Sequence, residues 1–228
     1  MNLKNGMLVL LTCVILLPLA GHAQRGMWDG AYNRLGLQAG MNHFNINTDE
    51  LPVTARTSWT AGFTTRSSFY DNFQFIYGIN FFDFKTQVTG REKIDYSTAN
   101  EEIDYNMIGV QANFFGSYKI LGHHLSVEMG PVLQVNGKYE PRQDKELWYV
   151  DGYDLTASDI SKVSTFNVNF AVGISGGFEK LKFWTQYQHG LNNFFAPLNS
   201  RNLEEIDPTA PEFKGRIGMI TAGVAMFL

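Results

Sequence analysis

A period of two in hydrophobicity, held over long stretches and repeated eight times, limits this chain more than any other feature. Between Val163 and Phe178 the residues Phe166, Val168, Phe170, Val172 and Ile174 form one apolar face. Thr165, Asn167, Asn169, Ala171, Gly173 and Ser175 form a small or polar one. Such alternation specifies β-strands, because successive side chains leave a strand on opposite sides. In a soluble sandwich the apolar face is the core; in a membrane barrel it meets lipid and the polar face lines the lumen. Alternation by itself does not choose between them.

The same pattern recurs near 33–46, 53–69, 72–86, 103–119, 124–139, 181–191 and from Phe213 onward. In the third of the eight segments it stumbles at Phe81-Phe82, which predicts a bulge. Several segments run well beyond the roughly 5 to 6 residues of an average soluble strand, and suit tilted spanning strands. Their connections alternate as well. Tyr70-Asp71, Leu121-Gly122-His123 and Glu179-Lys180 are tight turns, whereas 48–52, 87–102, 140–162 and 192–212 are longer and hold most of the acidic residues. The expectation is an all-β, eight-stranded antiparallel transmembrane barrel, an up-and-down meander with short periplasmic turns and longer external loops.

The first residues suggest a compartment. Lys4 precedes an apolar run from Met7 to Ala20, and Gly21-His22-Ala23 stands before Gln24. This is the pattern of a secretory signal peptide, about 14 apolar residues long and short of the ~20 that span a bilayer as a helix. Residues 1–23 are therefore expected to be cleaved, leaving 24–228 as one barrel domain in the outer membrane of a Gram-negative bacterium. Cys13, the single cysteine, lies within the apolar run, so the mature chain has no disulfide, thiol chemistry or cysteine-held metal. Removing Lys4 leaves 17 basic against 22 acidic residues, which argues against a nucleic-acid partner. The final stretch, Thr221 to Leu228, resembles the signal that barrel assembly machinery reads, with Leu228 where Phe is the commoner ending.

Three further stretches carry a likeness. Gly36-Leu-Gln-Ala-Gly40-Met-Asn42 resembles the "G-x-x-x-G-x-N" start of the PorT-like outer-membrane barrels of the Bacteroidetes. Trp184-Thr-Gln-Tyr187-Gln-His-Gly190-Leu-Asn192 is similar to that family's "Y-x-x-G-L-x-N" segment, and Val127-Glu-Met-Gly130-Pro131 to its "x-x-G-P" strand. The resemblance implies an integral barrel, with some members tied to protein export by the type IX system. It brings no catalytic residues.

Strand number bears on activity. Eight strands enclose a lumen that side chains just fill, whereas diffusion porins use 16 to 18. Alternation points Arg34, Arg66, Lys119, Glu128 and Lys182 inward, near the tight turns, where they are expected to form a polar network. A proton or solute relay is the sharper reading of the same set. His43, His123, His124 and His189 show no metal-ligand spacing. Ser175 lies mid-strand in Gly173-Ile-Ser-Gly-Gly177 without a nucleophile elbow. No catalytic residue, cofactor or metal is therefore expected. Trp28, Trp59, Tyr187, Phe194 and Phe195 suit interfacial girdles. Trp148-Tyr149, inside the longest acidic loop, fits a girdle poorly and is expected to belong to a contact surface. The expected role is structural or interactive: the wall meets membrane lipid and the external loops meet a partner. The alternative is a narrow transporter of small hydrophobic molecules, and a membrane-embedded hydrolase comes third.

Overall fold

A computed structural model describes residues 32–68, 72–94, 97–122 and 124–228. The expected signal peptide, Trp28, the Tyr70-Asp71 turn and His123 lie outside the described residues. The strands are β1 (Tyr32–Asn47), β2 (Val53–Ser68), β3 (Phe73–Arg91), β4 (Glu101–Leu121), β5 (Leu125–Asn136), β6 (Glu140–Pro141), β7 (Tyr149–Val150), β8 (Phe166–Gly177), β9 (Leu181–Gly190) and β10 (Arg216–Phe227). Eight of them pair antiparallel in the ring β1-β2-β3-β4-β5-β8-β9-β10, and β10 returns to β1 with Gly36 opposite Phe227 and Asn47 opposite Arg216. Closure leaves the wall without an edge. The two-residue strands β6 and β7 belong to the longest loop and add to the upper ends of β4 and β3.

The wall is uneven in height. β3 has 19 residues and β4 has 21, whereas β5 and β8 have 12 each and β9 has 10. The β3–β4 hairpin therefore stands above the rest, and loops 137–165 and 191–215 fill the space over the shorter staves. Single 3-10 turns at Gln143–Lys145, Asp159–Ser161, Leu198–Ser200 and Leu203–Glu205 are the helical pieces among the described residues.

A narrow ring brings neighbouring backbones close to any inward side chain, and glycine relieves the crowding. A Cβ added at Gly62 would lie 2.0 Å from the Ile79 carbonyl oxygen, and one at Gly173 would lie 2.4 Å from that of Thr185.

Phe81 and Phe82 do not form the bulge expected of them. Phe81 pairs with Ala61 and Phe82 with Thr60 in unbroken register, Phe81 being exposed and Phe82 buried. The bulge sits in the partner strand: Ala55 opposes Thr86 and Trp59 opposes Asp83, so β2 spends one residue more than β3. The two phenylalanines mark a change in what surrounds the wall. Along β3 the outward set is Phe73, Phe75, Tyr77, Ile79 and Phe81, then Asp83, Lys85 and Gln87. The inward set begins with Gln74, Ile76 and Asn80 and becomes Phe82, Phe84 and Val88. At one level the outer face turns from apolar to polar and the inner face does the reverse.

β4 shows the same inversion, from outward Ile108 and inward Gln111 to outward Asn106 and Asp104 and inward Met107, Tyr105 and Ile103. β1 does so between Met41 and Phe44, and β10 at Met219-Ile220. Below the crossing, the barrel is apolar outside and largely polar inside, with a small apolar cluster of Ile76, Phe115, Val132 and Ala171 among the polar groups. Above it, the molecule has the distribution of a water-soluble domain.

Candidate functional site

The lumen is filled in three tiers, each built by inward residues of several staves. The lowest is ionic. Arg66 of β2 reaches across to Glu128 of β5, Nη2 to Oε1 at 2.5 Å, and donates to Ser175 of β8 at 3.1 Å. β8 lies four strands from β2 in either direction, so this contact spans the full diameter. Ser175 donates to the same Glu128 oxygen, Gln74 accepts from Arg66 at 3.0 Å, and the guanidinium lies 5.9 Å from the centre of the Phe227 ring.

Lys119 donates to Ser68 at 3.2 Å, and Lys182 is buried beside the group. Arg34 stands apart at the rim, half-exposed, paired with Glu179 of the β8–β9 turn at 3.1 Å. Of the five inward charges read from the sequence, the structure brings Arg66, Glu128 and Lys182 into one cluster. It places Lys119 against the β2 end and Arg34 at the mouth. A carboxylate and a guanidinium held in low dielectric need each other, since either alone costs several kcal/mol.

The middle tier is made of amides. Gln111 of β4 donates to Gln134 of β5 at 2.8 Å and to Gln188 of β9 at 3.2 Å, while Asn169 of β8 donates to Gln134 at 2.9 Å. Gln38 reaches Asn80 at 2.6 Å, and Ser58 reaches Asn42 at 2.5 Å. The remaining space is small. A cavity of about 30 Å³ is lined in part by Gln38, Arg66, Asn113 and Trp184.

The upper tier was missing from the sequence reading. Phe44, Phe82 and Phe84 stack at 4.4 and 3.8 Å between ring centres. Tyr105 stacks on Tyr139 at 4.5 Å, and Phe194 meets Phe44 and Tyr139 edge-on. Phe194, Phe195 and Phe213 descend from loop 191–215, and Leu155, Ala157 and Ile160 from loop 137–165. Phe194 and Phe195 are therefore not girdle residues: they are 0 and 1 % exposed and plug the lumen.

The polar atoms among them are matched. The Tyr139 hydroxyl meets Thr86 at 2.7 Å, and Tyr105 donates to the Ala157 carbonyl at 2.9 Å. Burial holds both phenols well above the ordinary tyrosine range, so they remain neutral. Arg91, fully buried, donates to the carbonyls of Val150 and Tyr153, each at 3.2 Å. Asp207 accepts from the Asp154 amide at 2.9 Å and so ties the two long loops together. Burial opposes ionisation of Asp207. Hydrogen bonds from Thr209 and from the Asp154 and Thr209 amides outweigh it and hold the carboxyl below its usual range.

Trp148 and Tyr149 belong to this cap. Trp148 packs partly against the apolar plug and carries the Lys145 ammonium 4.2 Å from its ring centre, and Lys145 in turn pairs with Glu101 at 2.9 Å. Tyr149 pairs with Arg91 through β7 and bridges to Thr156. Both are half-buried, and the side chain left open between Glu146 and Trp148 is Leu147, at 78 % exposure. Among the described residues, no group of three or more His, Asp or Glu is placed to hold a metal. A signal for the plug was present in the doublets Phe81-Phe82, Met107-Ile108 and Met219-Ile220. There, adjacent residues, one facing each way, are both apolar.

No family model matches the chain, and no curated protein matches it. Solved structures of similar shape exist. Neisserial surface protein A superposes with a TM-score of 0.49 at 11% identity, over 84% of this chain and 96% of its own. Ail, the attachment invasion locus protein of Yersinia pestis, gives 0.45 at 10% over 86% and 99%. OprG, an outer membrane protein from Pseudomonas aeruginosa, gives 0.42 at 8% over 86% and 94%.

Proposed function

We propose that this chain is an exported outer-membrane barrel that acts as a structural or interaction protein through its folded external cap, without enzymatic activity. The observation that carries the reading is the inversion of both faces at one level of the wall. A continuous outward belt that includes Leu37, Met41, Phe63, Ile79, Ile108, Leu133, Val172 and Val224 is stable against hydrocarbon and costly against water. The side with short turns then faces the periplasm, and the cap faces outward. Cleavage of residues 1–23 by a signal peptidase and delivery to the barrel assembly machinery belong to the same proposal. For the latter, Phe227 turns into the lumen and Leu228 holds the outward position at 66 % exposure.

The PorT-like resemblance supports a finer version in which the cap works with components of type IX export. Lateral release of a small hydrophobic molecule is the weaker reading, because the strand ladder is continuous and aromatic rings fill the upper lumen. The test is fractionation followed by extracellular protease treatment. The full-length protein should partition with outer membranes, change gel mobility on heating, and be cut from outside only within the loops 48–52, 92–100, 137–165 or 191–215. A protein soluble without detergent overturns the proposal. Co-purification under native conditions then identifies the partner, and retention of all partners by a Leu147→Asp variant would remove this part of the cap from the contact surface.

A further inference from the structure

Immediately above the apolar belt, the outer wall divides into two unlike arcs. On β3 and β4 the outward side chains include Asp83, Lys85, Gln87, Glu102 and Asp104, and they satisfy one another. Lys85 pairs with Asp83 at 3.4 Å, and Gln87 donates to Asp104 at 2.6 Å. On β9, β10, β1 and β2 the corresponding positions hold His189, Arg216, His43, Asn45, Asn47 and Thr57, with no carboxylate among them. The register sets them side by side: His189 and Asn45 flank Gly218, Asn47 opposes Arg216, and His43 opposes Thr57.

His43 Nδ1 lies 3.4 Å from the Thr57 hydroxyl, and Asn45 donates to Asn47 at 2.9 Å. The β2 bulge turns Arg56 outward at the seam between the arcs, where it donates to Gln87. Carboxylates border the arc and are engaged: Asp104 by Gln87, which also accepts from Arg56, Glu50 by Thr48 at 2.7 Å, and Glu212 by Lys214 at 3.0 Å. Directly below lie Met41, Trp59, Ile220 and Tyr187, all exposed.

We propose that this arc docks the phosphorylated saccharide headgroup of a glycolipid in the outer leaflet, with the acyl chains lying on Met41, Ile220 and Tyr187. The proposal rests on the outer-membrane reading above. Charge complementarity selects the occupant: a guanidinium matches phosphate oxygens in a two-point geometry, and a basic residue at this height meets an anionic leaflet. Two imidazoles, two amides and a hydroxyl supply hydrogen-bond partners for sugar hydroxyls. Four adjacent strands span about 15 Å, wide enough for one such headgroup.

The test uses full-length protein in phosphatidylcholine nanodiscs doped with either diphosphoryl lipid A or phosphatidylglycerol. Lipid retained after detergent release is counted by native mass spectrometry. The wild type should retain lipid A preferentially. Arg56→Ala/Arg216→Ala should lose that retention by about tenfold, while Lys85→Ala/Asp104→Ala on the opposite arc retains it. Equal retention by the arginine variant, or of phosphatidylglycerol by the wild type, overturns the inference. Heat-dependent gel mobility of each sample separates outcomes: an inserted wild type that holds no lipid A overturns this inference alone, whereas one that fails to insert overturns the barrel reading with it.

Discussion

Strands β1 to β4 and β10 run through both the lower and the upper half of this barrel, and the two halves obey opposite rules. Below the crossing level, charge and amides predominate inside and apolar side chains, aromatic and aliphatic, outside; above it, stacked rings are inside and charges outside. The backbone pleat does not change between them. In the proposed placement what changes is the solvent, lipid below and water above, and the sequence moves its apolar residues to the other parity. In β2 a bulge accomplishes the same exchange by inserting a residue. The comparison teaches that a strand too long for the bilayer has to satisfy two environments in succession, and that its interior has to be chosen for each.

Four substitutions test this division. The largest expected effect is in the lower half. Glu128→Ala leaves Arg66 buried without its carboxylate and should cost about 3 to 5 kcal/mol in urea unfolding from lipid vesicles. Replacing both partners with apolar residues should recover most of it. An unchanged midpoint for the single variant would mean that water reaches Arg66 and the lower tier is not closed. In the upper half, Phe84→Ala removes the ring between Phe44 and Phe82 and should cost about 3 kcal/mol. The loss should appear as faster protease nicking of the loops while heat-dependent mobility is retained. Simultaneous loss of both would show that the halves are not separable.

On the outside, Val172→Arg should cost about 2 kcal/mol in a bilayer, the expected penalty for a charge facing lipid. No effect there would break the lipid assignment of the belt. The smallest effect concerns pH. Asp207 has a carboxyl held below its ordinary range, so its contribution to loop docking is present at neutral pH. That contribution is complete above the ordinary aspartate value near 4, declines as the pH falls from there, and is gone below the lowered folded value. Asp207→Asn should remove the contribution at pH 7, read as more nicking between 137 and 165. A wild-type cap that already loosens above pH 5 would place the linkage elsewhere.

Much of the wall was legible in the sequence because a strand advertises itself by parity. Every stave was located, most within a few residues of its ends. The inward direction of Arg66, Glu128 and Lys182 followed from parity, but their mutual contact did not. Arg66 and Glu128 are far apart along the chain, and only closure of the ring sets β2 across from β5 and β8. The cap escaped for a different reason. Phe194, Phe195 and Leu198 show no periodicity, since a loop that folds into a plug has no repeating geometry to impose one. An aromatic pair at the end of a barrel strand is ambiguous between a lipid interface and a buried core until the height of the neighbouring wall is known. Here β3 and β4 rise above β8 and β9, and that difference in height makes room for Phe194.

The seam between β1 and β10 has a consequence in time. It joins the two strands farthest apart along the chain, and its ladder is as long as those between sequential neighbours. Hairpins such as β3–β4 form from local partners, but this seam waits until the final strand has been delivered, and contacts so distant in sequence are slow to find. Until then both flanks of an unfinished sheet carry open backbone groups, inviting a foreign strand. On the proposed route to a membrane, a temporary companion for β1 or β10 would protect those flanks, and the protein's vulnerability lies in the interval before its ends meet.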